Sequence, residues 1–253
     1  MTDITRTLEI LDRLIAFPTV SRDSNLDLID WVQNLLQTAG FDVTRIWSPD
    51  CTKAGLFARI GPGVDGGVCL SAHTDVVPVD GQVWTRPPFQ LTDEGARVYG
   101  RGTTDMKGFL ASALALAERA GETPLSAPLS LSISYDEEIG CVGIRHMMPD
   151  LKQLIGNPRL VIVGEPSSMQ VATGHKGKAA LKVTCHGQAG HSALAPQFVS
   201  AIHIAADFVQ QTRRLQNQLA AGPCDDAYSL QHSTVHIGKI TGSRPLHVVP
   251  ETA

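Results

Sequence analysis

The sequence lacks the features of membrane-spanning, nucleic-acid-binding, exported and disulfide-rich proteins. No apolar stretch approaches the ~20 residues that a membrane-spanning helix needs, and no basic tract indicates nucleic acid as the main partner. The N-terminus is amphipathic and contains acidic residues, whereas an export signal has a basic start followed by an apolar stretch. The five cysteines include no close pair, which favours reduced thiols over a disulfide framework. We therefore expect a cytoplasmic protein without membrane or nucleic-acid partners.

The composition is that of a chain with a sizeable core. It has 253 residues, of which 43% are hydrophobic and 18% charged, with a formal net charge of −4. These values exclude a disordered chain, and the length suits one large domain or one and a half ordinary ones.

Helices and strands alternate through the first part of the chain. The predicted helices cover the segment before Pro18 and residues 25–40, 107–120 and 142–154. The predicted strands cover residues 41–47, 55–60, 68–72, 129–135 and 160–163. This alternation predicts an α/β fold, a mostly parallel sheet flanked by helices, over residues 1–177.

The pattern changes near Gly177. Residues 179–186 alternate as a half-exposed antiparallel strand does, residues 201–219 have the period of a long amphipathic helix, and residues 234–240 resemble a strand. We expect a second, partial α+β domain over residues 178–253.

Potential metal ligands follow three of the predicted strands. These are His73 and Asp75 after 68–72, Glu137 and Glu138 after 129–135, and Glu165 after 160–163; Asp105 precedes the third helix. Ligands of open α/β sheets bind beyond the carboxyl ends of the strands, so these groups are expected to share one centre.

The residue types suit a particular chemistry. One imidazole and several carboxylates favour zinc, cobalt or manganese. Asp105 could bridge two ions, Asp75 could accept the other ring N–H of His73, and of the adjacent glutamates one could bind metal while the other accepts a proton from water. Taken singly, each has an ordinary alternative, such as a helix cap for Asp105 or a turn residue for Glu165.

Four segments together resemble a known family. They are residues 73–78 (HTDVVP), 100–108 (GRGTTDMKG), 136–140 (DEEIG) and 164–166 (GEP). The chain resembles the di-zinc amidohydrolases that include acetylornithine deacetylases, succinyl-diaminopimelate desuccinylases, carboxypeptidase G and aminoacylases. Residues 174–177 (GHKG) most resemble the acetylornithine deacetylases.

The resemblance implies a role for each site residue. His73 and Glu165 would hold one divalent ion, Asp105 would bridge, and Glu138 would hold the other; zinc is the expected metal and cobalt is possible. Asp75 would orient His73, and Glu137 would act as general base and then as acid. His191, in a lid-domain motif, would reach the active site of a partner subunit in a homodimer and stabilise the oxyanion.

The implied reaction is hydrolysis of the amide bond of an N-acyl amino acid, foremost N-acetylornithine to ornithine and acetate in arginine biosynthesis. A desuccinylase or a carboxypeptidase-like hydrolase is the alternative within the same chemistry. Residues 1–177 would form the metal-binding catalytic domain, and residues 178–253 part of a lid and dimerisation domain.

The chain also departs from the family pattern. In relatives the lid domain continues beyond the equivalent of Ala253, and a returning segment completes the catalytic domain and supplies a last histidine ligand. His247 stands where relatives usually have asparagine. We therefore expect a family member that stops short, and a non-catalytic remnant that binds one metal or a partner chain is the rival hypothesis.

Overall fold

The computed structural model describes residues 3–242 and 245–253. The chain forms two compact units, of which the first ends at Thr173 and the second begins at Gly174. The sequence-based boundary after residue 177 lies close to this division.

The first unit contains the predicted alternation of helices and strands. Its helices are α1 (Asp3–Ile15), α2 (Leu26–Thr38), α3 (Gly108–Gly121) and α4 (Val142–Leu154). Its strands are β1 (Asp42–Trp47), β2 (Ala54–Ile60), β3 (Val68–His73), β4 (Thr92–Asp93), β5 (Val98–Tyr99), β6 (Leu129–Ser134) and β7 (Leu160–Val163). A π-helical turn, Thr103–Lys107, leads into α3.

The main sheet has five strands in the order β1-β2-β6-β3-β7. The predicted α/β class with flanking helices is confirmed, but the sheet is mixed and not mostly parallel. β3 runs parallel to β6 and β7, whereas β1 with β2 and β2 with β6 are antiparallel. The short connection between β1 and β2 explains the first antiparallel pair, because a parallel pair needs a crossover of a dozen or more residues.

Helices pack on both faces of this sheet, although all four residues of β7 are exposed. One face packs against α1, α2 and α3, with fully buried side chains such as Leu14, Leu36 and Leu114. On the other face α4 contributes Met147 and Leu151 to a second cluster. β3 pairs in parallel with both β6 and β7, so the carboxyl ends of these three strands lie at one edge of the sheet.

Lys107 is an unusual component of the core, because its side chain is fully buried. Its Nζ donates hydrogen bonds to the backbone oxygens of Leu14 (2.9 Å) and Phe17 (2.7 Å), just where α1 ends. Burial lowers the pKa of Lys107 to about 7. The amino group thus satisfies two carbonyls at the end of α1 and joins that helix to the turn that contains Asp105.

Replacing Lys107 by Met is expected to lower the free energy of unfolding by about 2–4 kcal/mol, because two buried carbonyl acceptors lose their donor. Urea denaturation followed by circular dichroism measures the change. Lys152→Met, on the exposed side of α4, is the matched control and should unfold as the unaltered chain does. Equal stability of both variants would contradict the proposed role of this amino group.

The second unit contains β8 (Gly190–His191), α5 (Ala201–Ala220) and β9 (Val248–Val249), with a 3-10 turn at Ser192–Gln197. β8 pairs with β9 in antiparallel fashion. The prediction of strands at 179–186 and 234–240 is wrong: apart from an isolated bridge between His186 and Thr252, these residues form no ladder. An alternating pattern suits a strand, but a strand needs a hydrogen-bonding partner, and Leu181 is 89% exposed.

The long helix α5 agrees with its amphipathic period. Ala201 and Ala205 are buried beside Cys185, whereas Ile202 and Phe208 are exposed. Within residues 3–242 and 245–253, no helix combines the length and the apolar character that crossing a bilayer would require.

Candidate metal centre

His73 is the buried centre of the site. It is the last residue of β3, and only 1% of it is exposed. Its Nδ1 lies 2.9 Å from the backbone oxygen of Asp75 and 3.4 Å from Oδ1 of the same residue. We assign the ring proton to Nδ1, because both neighbours of this nitrogen are acceptors. In the neutral ring, Nε2 then keeps its lone pair, as a metal ligand requires.

Carboxylates surround Nε2 of His73. Asp105 Oδ1 lies 3.2 Å away, Glu165 Oε1 3.8 Å and Glu137 Oε2 3.9 Å. The potential ligand atoms form two sets, and within each set all atoms lie within 4.8 Å of one another. One set is His73 with Glu137 and Glu165, and the other is His73 with Asp105 and Glu138. The structure thus brings together all the residues that the sequence analysis assigned to the metals, together with Glu137.

The topology explains this convergence. His73 ends β3, while the Glu137–Glu138 pair and Glu165 follow β6 and β7; the carboxyl ends of these three parallel strands lie at one edge. Asp105 reaches the same edge from the turn before α3, where its backbone (φ −120°, ψ 97°) and that of Met106 (φ −131°, ψ 28°) depart from helical values. Which residue serves which ion stays a prediction, since Glu137 is as close to Nε2 as Glu165 is.

The electrostatics of the cluster favour a cation. Burial, together with the negative charge of Asp105, raises the pKa of Glu138 to about 7, and burial also raises the pKa of Glu165. Burial disfavours the charged imidazole, but the hydrogen bond to Asp75 and the surrounding carboxylates raise the pKa of His73 to about 9. These shifts show an excess of negative charge around one imidazole. A nitrogen and several carboxylate oxygens therefore fit divalent ions such as zinc or cobalt.

Asp75 contacts His73, as predicted, and it also binds the loop that carries Glu137 and Glu138. Its carboxylate, 3% exposed, accepts hydrogen bonds from Ser21 Oγ (2.7 Å) and from the backbone N–H groups of Glu137 (2.9 Å) and Glu138 (3.2 Å). Although burial opposes it, these bonds and the imidazole lower the pKa of Asp75. One ionised carboxylate therefore holds both the imidazole and the loop that bears the two glutamates.

Two contacts of this site were missed from the sequence. Ser21 lies 54 positions before Asp75, in a segment whose composition gives no functional signal. Cys141 was considered only as a reduced thiol, but its Sγ donates to Glu137 Oε1 at 3.2 Å, a bond that raises the pKa of the thiol. Cys141 has a left-handed backbone (φ 55°), and its N–H also donates to the backbone oxygen of Glu137 at 2.8 Å, so the turn brings the thiol back to Glu137.

A comparison with sequence families decides the affiliation. The sequence model of the peptidase family M20/M25/M40 matches residues 69–248, which include the whole cluster. The chain belongs to this family.

Relatives in the M20/M25/M40 family support the assignment. Acetylornithine deacetylase of Shigella sonnei (strain Ss046) is 34% identical over 242 residues, which are 93% of this chain and 62% of that protein. The chain therefore spans less than two thirds of the relative's length.

Solved structures agree on the fold. A tripeptidase from Staphylococcus aureus aligns with 98% of this chain and 64% of its own (TM-score 0.64, 16% identity). A dipeptidase from Saccharomyces cerevisiae aligns with 98% of this chain and 68% of its own (TM-score 0.62, 16% identity). At these identities the likeness concerns the fold alone.

His191 lies in the second unit, also within the part that the M20/M25/M40 family model matches. It ends β8 and is exposed, and its Nδ1 accepts a hydrogen bond from the backbone N–H of Ala193 at 3.1 Å. Nε2 is then the nitrogen that carries the proton and can donate to a ligand. The role of His191 towards an oxyanion stays a prediction.

Proposed function

We propose that this chain catalyses the metal-dependent hydrolysis of the amide bond of an N-acyl amino acid, foremost N-acetylornithine. The observation that carries the proposal is the cluster at the ends of β3, β6 and β7, where carboxylates surround Nε2 of a buried imidazole. The 34% identity to an acetylornithine deacetylase supports the choice of acyl group and amino acid.

Each residue of the cluster has a place in this reaction. His73 and Glu165 would hold one divalent ion, Glu138 would hold a second, and Asp105 would contact both. Ions bound there would polarise the amide carbonyl and lower the pKa of water to about 7. Asp75 keeps the proton on Nδ1 of His73 and so presents Nε2 to the ion.

Glu137 moves the proton. Its Oε2 faces the ring of His73 at 3.9 Å, while its Oε1 accepts from Cys141. The carboxylate takes a proton from the attacking water and then delivers it to the nitrogen of the leaving amine, so that it acts first as base and then as acid. His191 donates from Nε2 to the oxyanion of the tetrahedral intermediate, from a partner subunit of a homodimer.

The biological setting is part of the same proposal. We infer a role in arginine biosynthesis in the cytoplasm, with zinc as the metal. Desuccinylation and carboxypeptidase-like hydrolysis use the same proton transfer and the same ions, so these reactions differ from the favoured one only in how the rest of the substrate is bound.

A substrate panel tests the proposal. The purified chain is loaded with zinc or with cobalt, and release of free amine is measured from N-acetylornithine, N-succinyl-diaminopimelate and several dipeptides. We expect hydrolysis of N-acetylornithine far above the others and no hydrolysis after chelation. A preference for succinylated or peptide substrates would contradict the substrate assignment, and absence of turnover with every substrate and both metals would contradict the activity.

A further inference from the structure

Lys53 and Asp136 form a largely buried ion pair next to the loop that carries Glu137 and Glu138. Nζ of Lys53 donates to the backbone oxygen of Ser21 and forms an ion pair with Asp136 Oδ1, and the side chains of both ion-pair partners are only 12% exposed. Lys53 directly precedes β2, and Asp136 directly precedes Glu137. Desolvating two charges is costly, so a pair at this place requires a specific reason.

The first partner of Lys53 belongs to a segment that is bonded to the residues around Asp75. The N–H of Ser21 donates to the backbone oxygen of Val76 (3.2 Å), and the N–H of Val76 donates to the backbone oxygen of Thr19 (2.9 Å). The side chain of Ser21, 7% exposed, donates to Asp75 Oδ2 at 2.7 Å. Ser21 is therefore held by its backbone while its hydroxyl holds the carboxylate that orients His73.

The second partner of Lys53 belongs to the loop with the two glutamates. Asp136 has a left-handed backbone (φ 53°), and the next two N–H groups, of Glu137 and Glu138, donate to Asp75. Asp75 thus joins the strand end with His73 to the loop with the glutamates, and Lys53 joins the same loop to the Ser21 segment. Ser21 connects Lys53 to Asp75 and closes the network.

We propose that Ser21 and Lys53 are positioning residues that set the separation between His73 and the pair Glu137–Glu138, and thereby the affinity for metal and the place of the base. The part that concerns the base rests on the proposed function, whereas the part that concerns metal affinity does not. Residues that hydrogen-bond directly to metal ligands typically contribute about 10–100-fold to metal affinity or activity. Ser21 and Lys53 act one step further out, through Asp75 and Asp136, so we expect the lower end of that range.

The test uses a pair of variants of equal shape. Ser21→Thr retains the hydroxyl and Ser21→Val removes it, so their difference isolates the bond to Asp75. Zinc affinity is measured by competition with a chromophoric chelator, and kcat and KM are measured at saturating zinc. We expect Ser21→Val to bind zinc about 10-fold more weakly than Ser21→Thr and to lose kcat with little change in KM.

Lys53→Met provides the second measurement. Lys152→Met, on the exposed side of α4, is its control. Lys53→Met should weaken zinc binding in the same direction, and the control should not. Thermal unfolding of each chain without metal shows whether it folds.

Three outcomes would overturn the proposal. One is equal zinc affinity of Ser21→Val and Ser21→Thr, and another is unaltered affinity of Lys53→Met. The third is failure of Ser21→Val to fold where Ser21→Thr folds, because the hydroxyl would then stabilise the fold and not the site. A chain that binds zinc with the expected differences but hydrolyses no substrate would contradict the proposed function and leave the metal-affinity inference supported.

Discussion

Glu137→Gln is expected to lower turnover of the metal-loaded protein at least ~100-fold, while its metal content stays unchanged. The amide has almost the same size as the carboxylate and can still meet the thiol of Cys141, which lies 3.2 Å from Oε1. It cannot take a proton from water at neutral pH, so only the proton transfer is removed. Turnover of N-acetylornithine and metal analysis of the same sample measure the two quantities.

Glu122→Gln, an exposed change beyond the end of α3, is the control and should leave both quantities unchanged. Retained activity in Glu137→Gln would contradict the role of this residue as base. Loss of metal would instead assign Glu137 as a ligand. Its Oε2 lies 3.9 Å from Nε2 of His73, close enough for both atoms to bind the same ion.

His73→Ala is expected to have the largest effect on metal binding, with affinity lowered more than ~100-fold and hydrolysis lost with it. His73 is shared by both sets of potential ligands. Without the imidazole, the remaining carboxylates repel one another, and Asp75 keeps only its bonds to Ser21 and to the backbone of the Glu137–Glu138 pair. Equilibrium dialysis followed by elemental analysis measures the bound ions per chain.

His203→Ala, exposed on α5, is the matched control for loss of an imidazole and should retain the metal. If His73→Ala held as much zinc as this control, the centre would have to be formed by carboxylates alone, and the assignment of His73 would be wrong.

Much of the first unit could be predicted from the sequence because its signals are local. The period of apolar residues predicts α2 and α3 to within a few residues, and short apolar runs predict β3 and β7. The rule that ligands bind at the carboxyl ends of parallel strands then predicts that His73, Glu138 and Glu165 converge, although they are far apart in sequence.

Other features depend on pairing, which the pattern of one segment does not contain. The direction of β2 relative to β6 depends on the strand order. An alternating segment such as 179–186 forms a strand only where a partner strand is present, and its main-chain groups form no ladder here. The hydrogen bond between Ser21 and Asp75 likewise joins residues 54 positions apart, and no sequence pattern links the two.

The sequence by itself determined the α/β class, and it predicted a set of candidate metal ligands and their chemical character, because periodicity and residue type are properties of the sequence alone. Only the tertiary structure decided that the sheet is mixed, that Asp75 holds the loop of Glu137 as well as the ring of His73, and that Lys53 ties Ser21 to Asp136. The physical reason is that hydrogen bonds and ion pairs depend on distances of a few ångströms. Those distances are set by packing between segments that are remote along the chain.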